Sequence, residues 1–180
     1  MSLTTDRLIL RRWREEDREP FAALNADPEV MAFFGSTLTR EQSDRMVDNI
    51  ERRFEENGFS WWAVEVRGGA PFIGFVGINV PHDPTLPFMP AVEVGWRLAR
   101  EHWGYGYATE AGSASVAYGF NQLGLGEIVA WAVATNVRSL RVMERIGMVY
   151  DPASDFDNHA FPVGHPLGRT VVYRMSPPNR

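Results

Sequence analysis

The chain has 180 residues, is 44% hydrophobic, carries a formal net charge of -5 and contains no cysteine. That length supports a single domain over residues 1–180 with a substantial core, and the acidic balance argues against a nucleic-acid partner. No apolar run approaches the roughly 20 residues that span a bilayer, so no membrane association is expected. The missing cysteines exclude disulfides, thiolate metal sites and a cysteine nucleophile. The first residues lack the basic-then-apolar succession of an export signal, so a cytoplasmic monomer or homodimer is the expectation.

In chain order, Arg7 to Trp13 alternates as a first strand, and Asp17 stands where a helix would be capped ahead of Phe21, Ala22 and Leu24. Asp27-Pro28 interrupts that helix, and an apolar cluster from Val30 to Phe34 ends at Gly35. Thr39 with Gln42 forms a capping-box pattern opening a helix that places Met46, Ile50 and Phe54 on one face and stops at Gly58. Ser60 to Arg67 and Phe72 to Val80 read as a hairpin around Gly68-Gly69-Ala70-Pro71. A proline-rich loop precedes the strand Ala91 to Leu98, and Thr109 to Leu123 is a helix. Glu127 to Ala134 follows as a buried strand, Val137 to Ile146 as an amphipathic helix ended by Gly147, and Met148 to Tyr150 as a further strand. After the polar excursion Asp151 to Gly168, Thr170 to Met175 closes with a strand. This order mixes antiparallel hairpins with one βαβ crossover, which is an α+β sandwich.

The informative stretch is Trp103-Gly104-Tyr105-Gly106-Tyr107-Ala108-Thr109-Glu110. A strand, two glycines one residue apart and a helix start present bare backbone N–H groups to an anion. A dinucleotide fingerprint would require a third glycine where Thr109 stands, and the Gly-Lys-Ser/Thr of a Walker loop is absent.

The string LAREHWGYGYATEA resembles the cofactor motif of the GNAT superfamily of N-acetyltransferases, whose Arg/Gln-x-x-Gly-x-Gly/Ala pattern falls on Trp103 to Ala108. Tryptophan in the first place, with Thr5 to Arg11 and Asn136-Val137-Arg138-Ser139 running on to Met148, is similar to the RimJ/RimL-like branch of ribosomal-protein N-terminal acetyltransferases. The resemblance implies a mixed, mostly antiparallel sheet of about seven strands with helices on both faces and a βαβ cofactor unit. It also implies acetyl-CoA as co-substrate, no metal, and an amine acceptor, either a peptide N-terminus or a small molecule. Other readings are a different acyl-CoA or a non-catalytic acyl-CoA-sensing domain.

Under the resemblance, residues 103–109 hold the pyrophosphate: Trp103, Gly104, Tyr105, Gly106, Tyr107, Ala108 and Thr109. Trp96 and Leu98 pair with pantetheine through their main chains, and a β-bulge is expected at Gly95. Alternation puts Glu93 opposite Val92 and Val94, where it is either the general base or a carboxylate pointing into water. The family's tyrosine acid is replaced by Met143, leaving Ser139 as the available hydroxyl, or as a helix cap. Asn136 touches cofactor or caps the same helix, and Arg145, with Arg141, is placed to reach phosphates. Phe33, Phe34, Trp62 and His159 are the expected acceptor-side residues, one member of each aromatic pair facing the core.

Overall fold

The computed structural model describes residues 2–178. Two short strands open the chain, β1 (Leu3–Thr4) and β2 (Leu8–Arg11), followed by helices α1 (Arg18–Ala26) and α2 (Arg40–Asn57). Then come β3 (Trp61–Val66), β4 (Gly74–Asn79), β5 (Glu93–Leu98), α3 (Tyr107–Asn121), β6 (Ile128–Val133) and α4 (Val137–Arg145). The chain ends with β7 (Val149–Tyr150), β8 (Phe156–Asp157) and β9 (Arg169–Met175). All nine strands belong to one sheet in the order β1-β2-β3-β4-β5-β6-β9-β7, with β8 also on β9. The two strands beyond the sequence reading, β1 and β8, are two-residue pairs, too short to leave a periodic signal.

Local chemistry accounts for the helix ends. The Thr39 hydroxyl accepts from Gln42 N while the Gln42 side chain accepts from Thr39 N, so both halves of the capping box form, and α2 stops at Gly58 in the left-handed region. Asn136 caps α4 by accepting from Ser139 N at 3.3 Å. Every contact except one in the sheet is antiparallel; β5 beside β6 is the parallel pair of the βα3β crossover.

Alternation along the central strands splits the core. Leu8, Leu10, Trp62, Val64, Val76, Ile78 and Val94 are buried on the face covered by α3. The opposite face, covered by α1 and α2, contains three cross-strand rows: Arg11–Ala63–Phe75–Arg97, Trp61–Gly77–Gly95 and Asn79–Glu93. The two glycines of the middle row form a trough, Gly95 beneath the Trp61 indole and Gly77 against the β3 backbone. A Cβ on Gly95 would stand 3.2 Å from Trp61 Nε1, and one on Gly77 would stand 2.6 Å from the Ser60 carbonyl oxygen.

Gly95 therefore makes room for a ring and does not bulge. The β4–β5 register runs without interruption from Gly74↔Leu98 to Asn79↔Glu93, contrary to the bulge expected there. Because the Gly77 neighbour is backbone, Gly77→Ala should destabilise by about 1–3 kcal/mol, the usual cost of overpacking. The midpoint of urea unfolding is the measurement, and an unchanged midpoint would discard the trough.

Candidate functional site

β5 and β6 pair at a single position, Glu93↔Val129, and then diverge. Ala99 N donates to Ile73 O on the β4 side, whereas Val92 O accepts from Val129 N on the β6 side. By alternation, the backbone groups of Val94, Trp96 and Leu98 face the widening gap. The Leu98 carbonyl is already taken by the Trp103 indole N–H at 2.8 Å, so Trp96 is the position whose backbone remains open. The gap continues into a cleft of about 310 Å³ bounded by Phe33 and Phe34, the strand end, the glycine loop and α4.

The floor at the glycine loop presents free backbone donors. Gly104 and Gly106 both adopt φ of 82°, a conformation that side-chain-bearing residues rarely take. With the chain turned this way, no acceptor among the described residues takes the N–H groups of residues 104–109, while Glu110 N closes the first helical bond onto Gly106 O. These free donors lie at the positive end of α3. Across the cleft, Arg138, Arg141 and Arg145 project from one face of α4. None of them enters an ion pair among the described residues. Arg138 stacks 4.1 Å over the Trp103 ring, so Trp103 docks both β5 and α4 against the loop.

The loop is held from the far end of the chain. Glu110 accepts from Thr5 Oγ1 at 2.6 Å, Arg7 N at 2.9 Å and Arg7 Nε at 2.6 Å, and Arg7 Nη1 donates to the Tyr105 carbonyl at 2.9 Å. Burial pushes the Glu110 carboxyl up, but the hydrogen bonds from Thr5 and Arg7 outweigh it and hold it below its ordinary value. Nothing local in the sequence announces this clamp, because its partners are over a hundred positions apart.

Asn136 and the free hydroxyl-bearing Ser139 both line the cleft. Asn136 Oδ1 is engaged as the helix cap, which leaves its amide N–H groups for a ligand. Met143, where a tyrosine acid would have stood, is 2% exposed and belongs to the core.

Glu93 does not point into water: it is buried beneath α2, and burial pushes its carboxyl up to about 8, against smaller opposing effects from the Asn79 hydrogen bond and Arg53. Asn79 Nδ2 donates to Glu93 Oε1 at 3.4 Å, and Arg53 Nη1 donates to Asn79 Oδ1 at 3.2 Å. His82, whose pKa is lowered by burial and by Arg53, offers its Nδ1 to Arg53 Nη2 as a neutral acceptor. This chain reaches a second cavity of about 390 Å³ between α2, Trp61 and His82.

Of the expected acceptor-side residues, Phe33 and Phe34 line the first cleft. Trp62 does not line either cavity. It is fully buried against Tyr118 and Phe54, because its strand parity turns it to the α3 face, and Trp61 takes the open side. His159 is exposed and lines neither cavity. Its loop contributes Phe161 instead, packed so close to Gly35 that a Cβ there would meet the ring at 3.0 Å. Arg97, which the sequence reading passed over, was signalled by the same alternation that singled out Glu93, and Trp61 is the outward-facing member of the Trp61–Trp62 pair.

If the clamp sets the glycine loop, Glu110→Ala should weaken coenzyme A binding by roughly tenfold, the scale of one lost charged hydrogen bond. Isothermal titration reads the effect, and an unchanged affinity would leave the clamp a purely structural tie.

Comparison with known proteins agrees with this geometry. The family described as the acetyltransferase (GNAT) domain matches residues 7–149. The uncharacterized protein YkkB of Bacillus subtilis strain 168 is 36% identical over 149 residues, covering 82% of this chain and 85% of that one. The uncharacterized N-acetyltransferase YoaA of the same strain is 28% identical, covering 91% and 97%. The crystal structure of an acetyltransferase from Agrobacterium tumefaciens strain C58 superimposes with a TM-score of 0.79 at 28% identity, covering 98% and 95%. The chain, with its splayed parallel strands and unpaired glycine-loop donors, belongs to the GNAT acetyltransferase family.

Proposed function

We propose that the protein is an acetyl-CoA-dependent N-acetyltransferase of the RimJ/RimL-like kind, acting in the cytoplasm on a primary amine of a peptide N-terminus or small molecule. The observation that carries this is the row of unclaimed N–H groups at residues 104–109, continuous with the open backbone edge of Trp96. A pyrophosphate suits the first, and an amide-containing arm suits the second. Arg138, Arg141 and Arg145 add positive charge for the remaining phosphate. The N-acetyl assignment draws on the motif strings and on the name given to YoaA.

The amine nitrogen bonds to the thioester carbonyl carbon as the C–S bond breaks. Glu93 lines neither cavity, so it takes the proton that the amine must lose through intervening water. A carboxyl raised to about 8 is a better-matched base for an ammonium than an ordinary carboxylate, although part of its population is protonated at neutral pH. Asn79 fixes its orientation. The departing thiolate belongs to a thiol with an ordinary pKa of about 8.5, so near neutrality it takes up a proton from water; Ser139 stabilises it with a hydrogen bond as it leaves, and Asn136 orients the arm beside it.

Release of free CoA thiol across a panel of amines tests the activity directly. No turnover with any amine, together with no heat of acetyl-CoA binding, would sink the reading. Glu93→Gln should lower kcat/KM by about 10²–10⁴ and abolish the rise in rate with pH toward about 8. A matching shift is expected in stability. The folded-state value of about 8 lies above the ordinary 4.5, so the stabilising contribution of protonated Glu93 is present below 4.5 and lost as pH rises through 8. The melting temperature of the native protein should therefore fall relative to Glu93→Gln between pH 5 and pH 9; parallel curves would show that the carboxyl titrates normally.

A further inference from the structure

We propose that the cleft binds a carboxylate at Arg97, carried either by the amine acceptor or by the acyl chain of the donor. The proposal rests on the acyltransferase reading above and specifies its substrate chemistry.

The argument is a contrast between two arginines on one cross-strand row of the same sheet face. Arg11 and Arg97 are comparably buried, at 6% and 9% exposure. Arg11 is fully compensated: its two terminal nitrogens meet the Asp17 carboxylate at 2.7 and 2.8 Å, its Nε meets Glu65 at 2.9 Å, and the Pro71 carbonyl accepts at 2.7 Å. Arg97 has no carboxylate partner among the described residues. Its Nη1 donates to the neutral Asn25 Oδ1 at 2.6 Å and approaches the Met46 sulfur at 3.9 Å. Its Nε is buried with no partner, and its Nη2 makes no hydrogen bond.

A buried cation costs far more than one neutral hydrogen bond returns, so a scaffold that keeps one unpaired leaves its charge available to a ligand. Burial lowers the Arg97 pKa only to about 10, so it is cationic at neutral pH. Its orientation is imposed. Asn25 is fully buried and its amide donates to Ser43 Oγ at 2.9 Å, which aims its carbonyl at Arg97. Phe34 lies 4.2 Å over the guanidinium and Phe75 lies 5.5 Å from it. With a ring over the planar face and Nη1 engaged by Asn25, Nη2 is the terminal nitrogen left for a carboxylate entering the cleft. Arg97 lines the same cleft as Trp96 and Leu98, so an anion there lies beside the path read for the acyl donor.

The experiment measures binding to the whole protein by isothermal titration. One arm titrates CoA-saturated protein with a set of N-acetylated amino acids and their C-terminal carboxamides. The other compares succinyl-CoA with acetyl-CoA. In one arm the carboxylate-bearing member should bind about 10- to 100-fold tighter, and the arm that responds identifies the source. Arg97→Met should erase that preference. Arg97→Lys should retain part of it. Asn25→Asp, which supplies an internal carboxylate at the existing 2.6 Å contact, should weaken carboxylate binding in a folded protein and guards against a misfolded Arg97→Met. No preference in either arm, or a preference that survives Arg97→Met and Asn25→Asp, overturns the proposal. Because the readout is binding, a failure of acetyl transfer would count against the proposed function and leave this result distinguishable.

Discussion

The rest of the structure depends on the separation of β5 from β6 after one shared register position, Glu93↔Val129. Backbone N–H and C=O groups inside a sheet are obligatory hydrogen-bonding groups, and leaving a row of them open in the middle of a protein is costly unless something claims them. The chain meets part of that demand itself, by bringing the Trp103 indole to the Leu98 carbonyl. What remains, around Trp96 and in residues 104–109, is an edge and a cradle of donors with no claimant among the described residues. The family's acyl-CoA chemistry follows from that arrangement: a strand edge for an extended arm leads to a helix start for its phosphates.

The two faces of β5 divide structural from chemical duties. Val94 and Leu98 join the apolar core, and Trp96 packs toward α3. Glu93 and Arg97 face α1 and α2, both buried and neither paired with an opposite charge among the described residues. Burying two uncompensated ionisable groups on one strand subtracts from stability, and a site that does so without a return is uncommon. Between them, Gly95 with Gly77 yields its side-chain volume to Trp61, whose indole N–H is itself buried and unpartnered. Polar edges at Glu93, Trp61 and Arg97 thus run along one line under α2, with Met46 near Arg97 and on the wall of the second cavity.

Long-range ties hold the loops around the cleft in place. Thr5 and Arg7 converge on Glu110 and Tyr105, so the N-terminal arm sets the turn of the glycine loop. On the opposite rim, Phe161 of the late loop packs on Gly35, next to the Phe34 that covers Arg97. The wall of the cleft around Arg97 is therefore assembled from segments distant in the sequence.

The sequence by itself determined the elements whose signal is local. The capping box at Thr39, the helix stop at Gly58, the β3–β4 hairpin, the glycine loop ahead of α3, and the alternation that isolates Glu93 are each written within a few residues. The α+β architecture followed from their order. Only the tertiary structure decided which member of Trp61–Trp62 faces the open side, since period-2 alternation sorts neighbours onto opposite faces without saying which face is which. It also decided that Gly95 serves a ring and not a bulge, that Glu93 is buried, and that His159 stands away from both cavities while Phe161 packs inward. The clamp on Glu110 and the lack of a carboxylate beside Arg97 are properties of side chains brought together across the whole chain. Spacing along a sequence reports what neighbours share; what a buried charge lacks is visible only once everything around it is in place.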